Sequence, residues 1–590
     1  MLLRGVRCAL AAAVATGSFL LVLPGPVPAA TTRGQPSLVL VGQDATVTPP
    51  APGDAASFSI VVGITGTPPN RAEIGLSFYS KLSTASGFEQ TLSSPPSGTL
   101  LHTVSPQPVS SLKRVGGGVQ VVTSIVVGDT PAPPGSPTVN LNNCVAGSEV
   151  CSGVYPVVVQ LFGDSGSVSR FTTYLTYAEA KSPVPLVFAW VVPVGSPVNI
   201  RPAGPLGQAI PSLSTSRVKH LAELAQELAA NPGVQVTVAP SPSTLERLEE
   251  SGTPDARTTL SELHGVAAEG PHRLIAQPYV PINLSELAAA GIPTEIEGQV
   301  RRAAAIMLPV VAGLTPTEAP SWQTWVATGE LGPAIAGGMR EVGARDLVLP
   351  DTDLPAASEE DHATWTQTFS LSLGHGQSVM AAVSDSSLSD LFTSEPSDPV
   401  LAANQLLADL AFIQSELPGA ANPTRGVIAV PPPSWDPDPG FVDTLVAGLT
   451  NNPVISTATL NGYFTTVPSG ANGASSTRRL NTGFGGSALS SAQAAAIVTA
   501  RKQITGFVDA VEGQQAAENQ LEDVLLSSES NELSPARQRA DLAAFERHLG
   551  AELGGVQVVK NTVTLTARTA SIPIIITSRV GFPLRATLTL

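Results

Sequence analysis

Residues 186–192 read LVFAWVV, residues 216–233 read SRVKHLAELAQELAANPG, and residues 234–239 read VQVTVA. The first and third are short apolar runs rich in Val, with no helical spacing. In the second, Val218, Leu221, Leu224 and Leu228 fall on one helical face, and Asn231-Pro232-Gly233 stops the helix. A strand, a helix and a second strand in this order predict a crossover unit with parallel strands.

The alternation continues along the chain. Strands are predicted at RLIAQP (273–278), DLVLP (346–350), SVMAAV (378–383), GVIAVP (426–431) and PVISTATL (453–460). Helical segments such as TEIEGQVRRAAAIM, DPVLAANQLLADLAFIQSEL and FVDTLVAGL lie between them. Seven apolar strands alternating with helices over 183–465 predict a parallel sheet buried on both faces. An incomplete or distorted (β/α)7-type barrel is the first reading and an open doubly wound sheet the second. Both place functional groups at the carboxyl ends of the strands.

The flanks differ. Residues 36–180 carry Val- and Ile-rich runs, including SFSIVVGIT and VYPVVVQLFGD, separated by Pro, Gly and Ser clusters. They predict an immunoglobulin-like β-sandwich. Residues 466–487 are rich in Gly, Ser and Asn and read as a flexible linker. Residues 488–550 read as a helical segment. Residues 551–590 alternate as strands, the start of a second β-sandwich too short to close a core alone. Their abrupt end leads us to expect further native sequence beyond Leu590.

The chain has 590 residues, 43% hydrophobic and 13% charged, with 31 basic against 47 acidic side chains and a net charge of −16. That balance repels phosphate backbones and argues against a nucleic-acid partner. Residues 1–30 read as a signal peptide. Arg4 and Arg7 precede the apolar run Cys8–Leu23, and Ala29 and Ala30 offer a cleavage site. An uncleaved anchor is the alternative. No later stretch is long and apolar enough to span a membrane, so the protein is expected to be extracytoplasmic. In an exported chain, Cys144 and Cys151 read as a disulfide, with a redox or metal pair as the alternative.

LIAQPYVPINLSELAAAGI (274–292), DLVLPDTDLP (346–355), NQLLADLAFIQSELP (404–418) and GVIAVPPPSWDPDPG (426–440) carry a resemblance. They resemble an uncharacterised family of exported proteins from high-GC Gram-positive bacteria, encoded beside the lipid II flippase of peptidoglycan synthesis. The resemblance implies a barrel similar to those of glycoside hydrolases and polysaccharide deacetylases, and a carboxy-terminal transmembrane helix that this chain lacks. It also implies an Asp-Pro where Ser241-Pro242 stands, and an Asp where Asn283 stands.

The remaining carboxylates near strand ends are Asp351, Asp353 and Asp385, the catalytic candidates. Tyr279, Asn283, Trp435 and Asp436 are candidate ligand-binding residues, with Trp435 as a sugar-stacking platform. The local alternative makes Asp351, Asp353, Asp436 and Asp438 turn-forming or helix-capping groups. His362 and His375 lie in flanking loops. No GxGxxG, Walker A, G-x-S-x-G or zincin pattern occurs, and GDSGS (163–167) falls in a predicted hairpin. No cofactor or metal is implied. The sequence favours a non-catalytic binding or scaffold protein of the cell-wall machinery, with a cell-wall glycan or a membrane-bound synthesis protein as partner. A glycoside hydrolase or polysaccharide deacetylase-like enzyme is the alternative.

Overall fold

The computed structural model describes residues 36–590 except 52, 132, 142–150, 165, 203–207, 316–318, 330, 333, 356–364, 375, 394–396, 417–423, 471–475, 481–488, 512–514, 560–574, 580–582 and 584–590. The predicted signal segment, Cys144, His362 and His375 lie outside the described residues.

The amino-terminal module holds strands β1 (Ser37–Gln43), β2 (Ala56–Thr65) and β3 (Glu73–Tyr79), helix α1 (Ala85–Ser93), and strands β4 (Leu100–Pro108), β5 (Lys113–Val115), β6 (Gly118–Val126), β7 (Thr138–Asn140), β8 (Gly153–Gly163) and β9 (Gly166–Tyr177). They form two sheets, ordered β1-β2-β6-β5 with β7 beside β6, and β4-β3-β8-β9. Alternate residues of both sheets meet in one core, where Phe58 of β2 lies edge-on to Phe78 of β3 at 6.2 Å. The period-two pattern of SFSIVVG supplies the inward Phe58, Ile60 and Val62, each fully buried. Cys151 is buried in that core; its expected partner is outside the described residues.

The central module begins with β10 (Leu186–Val194), the hairpin β11 (Arg201–Pro202) and β12 (Gln208–Ala209), α2 (Thr215–Ala230), β13 (Thr237–Pro240), α3 (Pro242–Ser251), α4 (Pro254–Glu269) and β14 (Arg273–Leu274). It continues with α5 (Leu284–Ala289), α6 (Pro293–Val311), β15 (Thr324–Val326), α7 (Ile335–Val342), β16 (Asp346–Pro350), β17 (Phe369–Gly374) and β18 (Gln377–Ser384). Next come α8 (Ser386–Leu391), α9 (Pro399–Glu416), β19 (Gly426–Ala429), α10 (Pro439–Leu449), β20 (Ile455–Thr457), α11 (Leu460–Thr466) and β21 (Thr477–Arg479).

Seven strands run in the order β14-β13-β10-β19-β18-β16-β15, and every neighbouring pair is parallel. The sheet curls. Ile275, just past β14, makes a parallel bridge to Ser321, just before β15, and so brings the two edges together. Val187, Ala189, Val191, Ile275, Val326, Val348, Ala382 and Ile428 share one enclosed core, while their strand neighbours pack against helices outside. Tyr463 of α11 fills the amino-terminal end of this interior, its Oη donating to the Gly426 carbonyl at 2.9 Å. A Cβ on Gly426 would lie 2.8 Å from the Val187 carbonyl oxygen, so only glycine permits this approach.

Three corrections to the sequence reading follow. The predicted strand 453–460 is not one of the seven in this order. It contributes β20, which pairs beside the first half of β10 at Leu186–Phe188. The seventh place belongs to β15, a three-residue strand in PSWQTWVATGE with no apolar run to announce it. Within the segment read as a flexible linker, β21 pairs in parallel with β17 through Ser370–Thr477 to Ser372–Arg479.

Helices α12 (Ser491–Ala510), α13 (Gln515–Ser528) and α14 (Pro535–Gly554) share a core with β15, β16 and β18. Arg302 of α6 pairs with both Glu246 of α3 and Asp523 of α13, the latter through two contacts at 2.6 and 2.9 Å. Arg501 of α12 reaches Glu295 of α6 at 2.6 Å. Strands β22 (Val556–Val559) and β23 (Ile575–Ser578) pair in antiparallel. The sandwich joins the central module through Asp398, which caps α9 at the Leu401 N–H (3.1 Å) and accepts from the Leu40 N–H (2.9 Å). Stacking of Phe88 on Phe412 at 5.8 Å adds a second contact. No helix among the described residues is long and apolar enough to cross a membrane.

Candidate functional site

The carboxyl ends of the parallel strands frame a shallow cavity of about 40 Å³, open to solvent. Five prolines line it: Pro193, Pro278, Pro281, Pro431 and Pro433. Ser241, Gln277 and Thr328 are its polar side chains among the described residues, and none of the described lining residues is ionisable. Prolines at strand ends follow from local chemistry, since they stop the ladder without leaving a buried N–H unpaired. Gly195 closes one side so tightly that a Cβ would strike the Pro433 carbonyl. Arg217 of α2 braces that turn. Its Nε donates to the Gly195 carbonyl at 3.0 Å, and its Nη1 pairs with Asp436 at 2.9 Å.

The ligand-binding candidates are engaged in holding the fold. Tyr279 is fully buried and its Oη donates to Glu246 Oε2 at 2.7 Å; burial pushes its phenol well above the ordinary value. Asn283 caps α5, accepting from the Ser285 and Glu286 N–H groups at 3.0 and 3.3 Å. Asp436 is half-exposed and held by Arg217 and by His220 Nδ1 at 3.1 Å. Trp435, expected as a stacking platform, is 4% exposed and packs among Trp190, Phe392 and Phe441. Its Nε1 donates to the Phe392 carbonyl at 3.1 Å. The turn before it folds the indole under the sheet's helical coat, where burial of a large ring outweighs exposure.

The three catalytic candidates separate. Asp353 is buried and accepts from the Leu331 N–H at 3.2 Å. Asp351 accepts from the Thr352 N–H at 2.9 Å and from Ser386 Oγ at 2.8 Å. Asp385 caps α8 through the Leu388 N–H at 3.0 Å. Asp351 and Asp385 nevertheless come together. Pro350 and Ser384 are register partners on β16 and β18, so the next residue of each strand lies side by side. Val348 and Ala382 point inward, which turns Leu349, Val383 and both aspartates outward. They therefore line a second cavity, of about 170 Å³, on the outer face of the sheet and not at the mouth.

Glu89 of α1 and Asp409 of α9 line the same cavity, with Phe88, Trp365 and Phe412. Burial raises the Asp385 carboxyl to about 6, and the Asp351 charge adds to it, against the helix-cap N–H groups. Burial drives Asp409 well above the usual carboxylate range, with Asp385, Glu416 and Glu89 pushing the same way. Among the described residues, no three His, Cys, Asp or Glu converge closely enough to hold a metal ion. The sequence reading missed Asp409 and Glu89. One signal for Asp409 was available: it is the lone charged residue in the buried run Leu401–Ile413 of an all-round apolar helix.

A two-sheet module joined to a curled parallel sheet with helices outside thus defines a multidomain protein with a barrel-like centre. The chain belongs to a family of unknown function (DUF6049), whose model matches residues 148–590. No curated protein matches the chain. Among solved structures it is similar to the 4-alpha-glucanotransferase of Thermococcus litoralis, at 15% identity over 55% of this chain and 46% of that one, with a TM-score of 0.35. An exo-type maltose-forming amylase of Pyrococcus sp. ST04 matches at 13% identity over 47% of each chain, with a TM-score of 0.33. A GH57 branching enzyme of Thermococcus kodakaraensis matches at 12% identity over 62% of this chain and 86% of that one, with a TM-score of 0.39. The chain spans about half the length of the first two.

Proposed function

We propose that this is an exported cell-envelope protein whose central module binds a cell-wall glycan, or a partner of the cell-wall synthesis machinery, without catalysis. One observation carries the reading: the strand-end mouth is lined by five prolines and by Ser241, Gln277 and Thr328, with no ionisable group among its described lining residues. Hydrolysis of a glycan or an acetyl ester needs a carboxylate or histidine within reach of the reacting atoms. A shallow, proline-walled depression with a few amide and hydroxyl groups is suited to seating the edge of a sugar ring or of an extended peptide.

The sandwich would serve as a second interaction module of immunoglobulin type. Its strand order supports that reading, since β1-β2-β6-β5 and β4-β3-β8-β9 follow the A-B-E-D and C′-C-F-G sheets of that fold. Tyr155, near the start of β8, donates its Oη to the Cys151 carbonyl at 2.7 Å, in the manner of a tyrosine corner. Export rests on the amino-terminal segment, and with it goes a Cys144–Cys151 disulfide. Thiol titration of unreduced, denatured mature protein then finds no free thiol, and two free thiols remove that element of the proposal.

The enzyme reading has one observation in its favour, the pair Asp351 and Asp385 with an elevated Asp385 carboxyl. Incubation with peptidoglycan and acetylated glycan fragments, with and without divalent metals, separates the two. Binding without product release is the expected result. Turnover that disappears in a folded Asp351→Asn variant establishes the enzyme reading instead.

A further inference from the structure

We infer that the outer cavity between α1 and the ends of β16 and β18 binds an organic cation, an ammonium or guanidinium group carried on an apolar stem. The inference goes beyond the mouth-binding reading, because this cavity lies on the opposite face of the sheet. Among the described residues, four acidic side chains line it, Glu89, Asp351, Asp385 and Asp409, and no lining residue is basic. Acidic side chains alone would not define a site, but Asp409 adds an independent fact. It is 9% exposed, lines the cavity, and receives no hydrogen bond among the described residues. A buried carboxyl left without a partner is costly, and a donor arriving through the cavity would complete it.

The rest of the wall selects the class of donor. Phe88 and Phe412 stack at 5.8 Å, and Trp365 joins them in the lining. Aromatic faces beside carboxylates attract organic cations through the ring quadrupole while their edges cover an alkyl stem. Trp365 already does this within the chain, seating the Arg478 guanidinium 3.9 Å from its ring centroid. The carboxylates are too dispersed for a metal ion, whereas an ammonium or guanidinium can span separated acceptors with several donors.

Burial favours the protonated forms of Asp385 and Asp409 in the empty site. Among the described residues, the groups around it are Glu89 on α1, Asp351 after β16, Asp385 after β18, Asp409 with the more distant Glu416 on α9, Tyr174 on β9, and Arg478 of β21 over the Trp365 ring. Glu416 is neutralised by Arg425 at 3.4 Å. An entering cation therefore displaces protons, and binding strengthens as pH rises.

The test is isothermal titration calorimetry of the full chain with 1,5-diaminopentane, with agmatine, and with the neutral 1,5-pentanediol. Saturable one-site binding of at least one cation is expected, with none of the diol. Affinity should increase from pH 5.5 to 7.5, with proton release measured across buffers of different ionisation enthalpy. Asp409→Asn keeps the shape of the neutral acid and should fold as wild type, yet weaken the cation at least tenfold. Asp351→Asn, at a less enclosed position, provides a second variant with the same expectation. No saturable cation binding to wild type overturns the inference. So does affinity unchanged in both folded variants, or a preference for calcium over both cations.

Discussion

Asp351 and Asp385 stand one residue beyond Pro350 and Ser384, register partners on two adjacent parallel strands, and both turn away from the sheet interior. Acidic residues at strand ends would ordinarily mark the mouth of a barrel as its active site. Here the parity of two strands moves the pair to the outer face, against α1 of the amino-terminal module, and leaves the mouth to prolines.

The pair should show itself in the pH dependence of stability. The folded Asp385 carboxyl, at about 6, lies above its ordinary 3.8. Its contribution is full below pH 3.8 and is lost as pH rises through about 6. Asp385→Asn removes that loss and retains the helix cap. Urea denaturation at pH 5 and 7.5 should show a smaller decline for the variant, by roughly 1 kcal/mol after allowance for solvent screening. Equal declines would refute the assignment.

Trp435→Ala should cost about 3–5 kcal/mol, as expected for emptying an aromatic core. Glycan binding per folded molecule should stay the same. A variant that remains as stable as wild type but loses glycan binding would restore Trp435 as a stacking platform.

Arg302 holds α3 and α13 to α6 from a position 10% exposed. Arg302→Leu leaves Glu246 and Asp523 buried without their cation, at a cost of about 3–5 kcal/mol. Limited proteolysis should then cut sooner within α13, which Arg302 holds to α6. Unchanged stability and unchanged protection would show that the three helices do not depend on this ion pair.

Tyr155→Phe deletes the bond to the Cys151 carbonyl while keeping the ring in the sandwich core. About 1–2 kcal/mol should be lost in chemical denaturation, with the unfolding slope unchanged. A neutral outcome would mean that the carbonyl finds another donor.

Local chemistry was legible from residue order alone. The period of two in SFSIVVG, the helical face of Val218, Leu221, Leu224 and Leu228, and the strand-to-helix alternation follow from backbone geometry. So does the cap formed by Asp438, because a short acidic side chain ahead of a helix finds unpaired N–H groups beside it. The tertiary structure alone decided strand order, the place of the three-residue β15, and the docking of α12–α14 on the central sheet. It also decided which way each end pointed. A period of two says that Asp351 and Val348 face opposite sides, but not which side is the interior; the curl of the sheet sets that. Burial of Trp435 and the meeting of Glu89 with Asp409 depend on elements distant in the chain packing against one another. Sequence spacing constrains neighbours within an element, whereas these contacts arise from the summed burial of whole faces.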